Sequence, residues 1–302
     1  MLNKIGNTPL KKLDKLKAEL NLKADIYAKL EYYNPAGSIK DRVALNIVNN
    51  AISKGVLKSG GVVIESTSGN TGIGLALVCK QKGYKTIITM PDTMSKERIN
   101  LLKEYGAEVV LTDGSLGMQG AVEKANELNA TIENSIIADQ FNNPANPDAH
   151  YKTTAVEIYN QLNGEVDAFI CAIGTGGTFT GVSKYLKQNV KGVKTYGVEP
   201  ESSPLISKGY AGAHKIQGIG ANFVPTVLDV SLLDGVFTCS DDDAFKYAKL
   251  VKQVENLAVG ISSGATLKCA VEFAKKEENA NKKIVIVFPD GAERYLSVGL
   301  TK

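Results

Sequence analysis

Tryptophan is absent from the 302 residues, and Arg42, Arg98 and Arg294 are the only arginines. Forked guanidinium recognition of phosphates or base edges therefore has little to work with. Neither sign of charge dominates: Lys+Arg 35 against Asp+Glu 32 leaves a net +3. A nucleic-acid or membrane-surface protein needs a stronger basic bias. His150 and His214 are the only histidines, too few for a multi-histidine metal site and a poor stock for a Ser-His-Asp hydrolase. Cys79, Cys171, Cys239 and Cys269 lie far apart among small and apolar neighbours, so no C-x-x-C pair exists. They are expected to be buried filler in a reducing compartment, and no metal is expected. No run approaches the roughly 18 apolar residues of a membrane span. Met1-Leu2-Asn3-Lys4 opens no apolar signal core. These absences point to a cytoplasmic protein that binds neither membrane nor nucleic acid.

What is present is an alternation. At roughly 150 residues per domain, the length suggests two domains or one large one. Ile26–Leu30, Val62–Ile64, Thr86–Thr89, Glu108–Leu111, Ala168–Ala172, Lys194–Val198 and Lys283–Phe288 are expected to be strands. Helices are expected over 38–53, 71–82, 95–105, 118–128, 148–162, 179–187, 242–252 and 264–275. Ser95 should cap its helix without a full capping box, because Arg98 rather than Glu stands three residues on. Apolar strands alternating with helices define an α/β fold, with helices on both faces of mostly parallel sheets. The Pro/Asn-rich stretch 139–150 is the best candidate boundary, and 200–225 is a second irregular stretch.

Ligands of such sheets sit at the carboxyl ends of strands, where loops enter helices. Four loops stand out. In Asn34-Pro35-Ala36-Gly37-Ser38-Ile39-Lys40-Asp41-Arg42, Lys40 falls in the first turn of a helix. There the helix dipole lowers the pKa of an ammonium, as a Schiff-base lysine requires. Glu65-Ser66-Thr67-Ser68-Gly69-Asn70-Thr71-Gly72 offers hydroxyls, an amide and backbone N–H groups suited to an anion. Gly174-Thr175-Gly176-Gly177-Thr178 reads as a phosphate cup. It is neither a P-loop, since no Lys-Ser/Thr pair follows, nor G-x-G-x-x-G, since position 179 is Phe. Val259-Gly260-Ile261-Ser262-Ser263-Gly264 precedes a late helix that Ser263 would cap, or from which it would meet a ligand. Each loop alone is also what an ordinary helix start looks like.

Taken together and in this order, the four loops resemble the fold-type-II pyridoxal-phosphate enzymes, tryptophan synthase β-like in architecture. The resemblance is closest to the O-acetylserine sulfhydrylase (cysteine synthase) and cystathionine β-synthase family. It extends to Ile5-Gly6-Asn7-Thr8-Pro9-Leu10, Met90-Pro91-Asp92-Thr93-Met94-Ser95, Gln140-Phe141, Gly218-Ile219-Gly220-Ala221 and Glu293-Arg294-Tyr295-Leu296-Ser297. The dehydratase branch differs in having S-F-K-x-R-G and four consecutive glycines, where this chain has S-I-K-D-R-V and G-T-G-G-T.

The resemblance implies two three-layer domains. The smaller, residues 38–144, would be mobile and close on substrate; the larger, 1–37 plus 145–302, would bind pyridoxal 5'-phosphate. It implies that Lys40 holds the cofactor and then takes the Cα proton. Gly174, Thr175, Gly176, Gly177 and Thr178 would bind the phosphate, Asn70 the phenolic oxygen, and Ser263 the pyridine nitrogen. A serine there leaves that nitrogen largely neutral and makes the ring a weak electron sink. Proton loss coupled to departure of a β leaving group is then favoured, giving an α-aminoacrylate to which sulfide or a thiol adds. Thr67, Ser68, Asn70, Thr71 and Gln140 would bind the substrate carboxylate, with Gly218, Ala221 and Asn222 near the incoming nucleophile. The family often has Gly where Asn222 stands, which bears on the second substrate. Cysteine synthesis from O-acetylserine and sulfide is the expected activity. The alternative consumes cysteine and releases hydrogen sulfide, forming lanthionine, cystathionine or serine. A homodimer is implied, and the C-terminal tail of serine acetyltransferase is a candidate partner. A purely regulatory subunit and a nucleotide-binding dehydrogenase fit the residues less well.

Overall fold

The computed structural model describes residues 1–300. Along the chain lie β1 (Leu10–Lys12), α1 (Asp14–Glu19), β2 (Asp25–Leu30), α2 (Lys40–Ser53), β3 (Val62–Ser66), α3 (Asn70–Lys82) and β4 (Lys85–Pro91). Then follow α4 (Lys96–Tyr105), β5 (Glu108–Thr112), α5 (Gly117–Thr131), β6 (Ser135–Ile137), α6 (Ala145–Ala149) and α7 (Ala155–Gln161). The remainder is β7 (Ala168–Ala172), α8 (Gly177–Asn189), β8 (Lys194–Pro200), α9 (Leu205–Lys208), β9 (Gly235–Cys239), α10 (Asp241–Glu255), α11 (Ile261–Ala274) and β10 (Lys283–Phe288). The described residues divide into two compact units, one of residues 1–5 and 40–146, the other of 6–39 and 147–300.

The first unit carries a four-stranded, all-parallel sheet in the order β5-β4-β3-β6. Alternate residues of β3 face opposite ways, as the pleat requires. Val63 packs with Leu75 and Val78 of α3, while Val62 and Ile64 pack with Ala125 of α5. The sheet is thus covered on both faces.

The second unit carries a six-stranded sheet in the order β1-β2-β10-β7-β8-β9, parallel except for the antiparallel edge strand β1. β10, central and apolar from Ile284 to Phe288, shows why such a run is needed. Ile284, Ile286 and Phe288 enter one core cluster, and Val285 and Val287 enter the other. Helices cover both faces here as well, so the α/β class with mostly parallel sheets holds.

Local signals behave as their chemistry dictates. Ser95 is the N-cap of α4 and accepts from Arg98 N–H at 3.4 Å. Ser240 caps α10, accepting from Asp243 N–H at 3.2 Å, with three aspartates in the first turn facing the helix dipole. Ser240→Ala should cost about 1 kcal/mol, read as a lower urea midpoint with an unchanged slope. All four cysteines are buried thiols.

The structure departs from expectation in several places. α2 begins at Lys40 rather than Ser38, because Ser38 and Ile39 instead pair with Asp290 and Pro289 beyond β10. α11 begins at Ile261 rather than Gly264, with Gly260 as N-cap. The helix expected over 148–162 is interrupted by a π turn, His150–Thr154. β1, α1, β6 and β9 were not expected; β1 and β6 are three residues long and only half-buried, too short to show a period. Among the described residues no helix is long and apolar enough to cross a membrane.

Candidate active site

The sequence-singled residues fall into two groups, one in each unit, and both groups sit at the carboxyl edges of parallel strands. In the first unit, β3 and β6 are neighbours. The loop after β3 carries Thr67 and Ser68, and α3 opens at Asn70 and Thr71. The loop after β6 carries Gln140. These two loops meet: Thr71 Oγ1 donates to Gln140 Oε1 at 2.5 Å, and both side chains are buried. Thr67 Oγ1 accepts from Gly69 N–H at 3.1 Å, which fixes the turn. Arg98, at the start of α4, donates to the Ser68 carbonyl at 3.1 Å. Gly69, the N-cap of α3, brings no side chain to the helix start, and a helix N-terminus favours an anion. Lys40 is the first residue of α2, and its backbone lies against α3: a Cβ added to Gly74 would come within 3.0 Å of the Lys40 carbonyl oxygen.

Behind this loop pair lies Glu65, which sequence reasoning did not weigh. Its side chain is buried, and its Oε2 accepts from Asp139 N–H at 2.8 Å. Burial pushes its carboxyl up to about 7, with hydrogen bonds from Asp139 and Gln140 acting against that rise.

In the second unit, β7 runs into Gly174–Thr178 and α8. Gly176 is the N-cap at φ +84°, a left-handed conformation that glycine adopts without strain, and as a glycine it offers the helix no side-chain cap of its own. Glycine at 174 is required for space rather than conformation. A Cβ there would lie 2.2 Å from the Gly218 carbonyl oxygen. Residues 218–220 therefore run against the cup, and Gly220 N–H donates to the Ile173 carbonyl at 3.0 Å. Of the others named there, Ala221 is half-buried and Asn222 exposed. Thr175 Oγ1 accepts from Gly177 N–H at 3.3 Å. Thr178 Oγ1 lies 3.2 Å from His150 Nε2, and His150 Nδ1 lies 3.0 Å from Thr154 Oγ1. His150 was passed over as one of too few histidines. Its mark in the sequence is indirect: Gly181, a glycine inside α8, where a Cβ would come within 2.7 Å of His150 Cβ.

Ser263 lies in the first turn of α11 and does not cap it. Its side chain is fully buried, and its Oγ has no hydrogen-bond partner among the described residues. The start of α11 is held at the carboxyl end of β10, since Val259 pairs with Gly291 and Gly260 N–H donates to the Asp290 carbonyl. β10 in turn is the neighbour of β7. One sheet edge thus presents a buried orphan hydroxyl and a glycine-walled helix start. A buried polar group without a partner costs free energy, and an acceptor or donor atom of a ligand beside Ser263 Oγ would offset that cost. This pair suits a heteroaromatic nitrogen and a phosphate, and the donor set fits pyridoxal 5'-phosphate. Among the described residues no group of three or more His, Cys, Asp or Glu side chains is placed to hold a metal.

The class defined by this fold and these loops is matched in sequence. Residues 1–290 match the family described as pyridoxal-phosphate dependent enzyme, and the chain belongs to that family. Among its relatives is a cysteine synthase of Staphylococcus aureus, 47% identical over 297 residues, covering 98% of this chain and 94% of that one. The crystal structure of cysteine synthase from Entamoeba histolytica superposes with a TM-score of 0.96 at 43% identity, covering 99% of this chain and 89% of that one. A hydrogen sulfide-producing enzyme from Fusobacterium nucleatum gives a TM-score of 0.92 at 48% identity, covering 97% and 96%. The fold-type-II reading of the fold, the pyridoxal-phosphate cofactor and the enzymatic character all stand.

Proposed function

We propose that this protein makes cysteine by β-replacement, from O-acetylserine and sulfide. The observation that carries the reading is the buried, partnerless Ser263 hydroxyl at the same sheet edge as the glycine-rich Gly174–Thr178 helix start. Serine at the ring-nitrogen position separates elimination–addition from reactions that need a strongly electron-withdrawing ring. Relatives named cysteine synthase at 47% and 43% identity support the same activity.

When bound, pyridoxal phosphate supplies a conjugated electron sink for charge developing at the substrate Cα. Everything else falls to side chains and backbone N–H groups. Lys40 holds the cofactor, and its Nζ then takes the Cα proton as the acetate leaves. Gly174, Thr175, Gly176, Gly177 and Thr178 hold the phosphate, with backbone N–H groups and the α8 dipole opposing its charge. Ser263 would meet the ring nitrogen and Asn70 the phenolic oxygen. Thr67, Ser68, Asn70, Thr71 and Gln140 hold the amino-acid carboxylate through hydroxyl, amide and α3 N–H donors. Gly218, Ala221 and Asn222 line the approach of the nucleophile. The smaller unit, residues 1–5 and 40–146, carries the carboxylate loops and is the part taken to move on substrate binding. The same reading takes the protein as a cytoplasmic homodimer. It takes the C-terminal carboxylate of a serine acetyltransferase tail as a ligand of the carboxylate loops.

A second reading is favoured by the Fusobacterium nucleatum enzyme at 48% identity, described as hydrogen sulfide-producing. In it the leaving group is the sulfide of cysteine, and the incoming nucleophile is water or another thiol. Two incubations separate the readings. Holoenzyme given O-acetylserine and sulfide should form cysteine much faster than holoenzyme given L-cysteine alone releases sulfide. The reverse order assigns the second reading; inertness in both removes β-replacement.

A further inference from the structure

The buried polar groups behind the carboxylate loops form a chain. Thr71 Oγ1 donates to Gln140 Oε1 at 2.5 Å. The Gln140 side chain and backbone also hydrogen-bond to Glu65, whose Oε2 accepts from Asp139 N–H at 2.8 Å. Gln140 is further held by Asn146, whose Nδ2 donates to its carbonyl at 2.8 Å. Thr71, Gln140 and Glu65 are all at least nine-tenths buried, with 2%, 5% and 3% of their surface exposed. All lie within one unit, spanning β3, the start of α3 and the loop after β6. Around Glu65, Asp139 supplies the charge that acts on it. β4 opposes it with Ile88, and α3 and α5 pack Leu75, Val78, Ala125 and Leu128 against β3.

We infer that Glu65 is a positioning residue that sets the direction of this chain and so links carboxylate binding at the 67–71 loop to a proton: the carboxylate binds more tightly when Glu65 is protonated. The inference rests on the reading of Thr71 and Gln140 as carboxylate-binding.

An ionised carboxylate only accepts. With Glu65 ionised, Gln140 turns its NH2 toward Glu65 and its oxygen toward Thr71. The Thr71 hydroxyl proton is then committed inward, and only lone pairs face an arriving carboxylate. With Glu65 protonated, its O–H donates to the Gln140 oxygen and the amide turns over. Its NH2 then donates to Thr71, whose own proton is released outward. Because the carboxyl is pushed up to about 7 by burial, both states are populated near neutral pH.

The test uses propionate, a carboxylate with neither an amino group to react with the cofactor nor a titration in the neutral range. Binding to the holoenzyme is measured by calorimetry from about pH 6 to about pH 8.5, in two buffers of different ionisation enthalpy. Wild type should lose about tenfold in affinity across that range, within what one charge-linked hydrogen bond supplies. It should also take up a fraction of a proton near neutrality. E65Q carries a permanent amide donor and should stay near the tight value with a flat profile. T71V should lose the proton uptake. KM for O-acetylserine should rise with pH in wild type while kcat keeps its profile in E65Q. A pH-independent wild type, a sloping E65Q, or proton uptake surviving in T71V overturns the inference. If E65Q does not fold, the wild-type uptake and its loss in T71V decide. Proton-linked propionate binding without turnover of O-acetylserine sinks the function reading alone. Turnover without the linkage sinks this inference alone.

Discussion

Lys40→Ala should abolish useful turnover, with a loss of roughly 10³-fold or more, since positioned proton transfer alone contributes about 10²- to 10⁴-fold. Two functions go together in this variant, the covalent hold on the cofactor and the base that receives the Cα proton. They are separable in the readout. Borohydride reduces a lysine–pyridoxal linkage to a stable secondary amine. The wild-type peptide containing Lys40 should then carry the pyridoxyl mass, and the variant should carry none at any lysine. The fold should survive the change. Lys40 opens α2, where alanine is a better helix former than lysine, and it is the Lys40 backbone that lies against Gly74 of α3. A normal melting curve with lost turnover and lost labelling is the expected outcome. Normal turnover in the variant would remove Lys40 from the chemistry and, with it, the assignment of the 67–71 loop as the place where substrate binds.

How much of this was readable in advance depends on how far apart the deciding contacts lie along the chain. β10 declares itself, because a strand buried on both faces must be apolar at every position, and Ile284 to Phe288 are. The glycine loop at 174–178 declares itself too, since strand, glycines and helix follow within a few residues. Ser263 does not. Its place inside the first turn of α11, rather than at the cap, follows from Gly260 N–H bonding to the Asp290 carbonyl and Val259 pairing with Gly291. A local reading cannot see partners thirty residues away. The same limit hid His150, which meets Thr178 28 residues on, and Glu65, which meets Asp139 74 residues on. β6 was invisible for a related reason: its three residues have no period of their own, and pairing with β3 makes them a strand. The chemistry-bearing loops were local and legible, whereas the groups that orient them were assembled by the sheet.

That distinction gives opposite expectations for one chemical change made at two glycines. Neither Gly174 nor Gly264 has a left-handed φ, so alanine at either position is a question of space alone. At Gly264 the added Cβ would stand 1.9 Å from the Ala244 carbonyl oxygen and 2.7 Å from Ala248 N. Both are backbone atoms of α10, in a core where Ala244, Ala248 and Ala265 are fully or almost fully buried. Relief requires α10 and α11 to separate, and close-packed helices give way poorly, so Gly264→Ala should cost about 3 kcal/mol or more in urea unfolding. At Gly174 the obstacle is the Gly218 carbonyl oxygen at 2.2 Å. Gly218 is exposed, at φ +89°, in the irregular stretch after α9. That segment can move aside, so the fold should hold while the cup it backs is displaced. Gly174→Ala should therefore melt near wild type but weaken the affinity of apoenzyme for pyridoxal phosphate by about ten- to a hundredfold, the equivalent of about 1–3 kcal/mol of local overpacking. Cofactor titration of the apoprotein beside urea unfolding of both variants reads the two effects separately. A destabilised Gly264→Ala beside an unfolded Gly174→Ala would confirm only the core half and would show that the segment at Gly218 does not give way. A Gly174→Ala that binds cofactor as wild type does would show that the backbone at 174 does not form the phosphate cup.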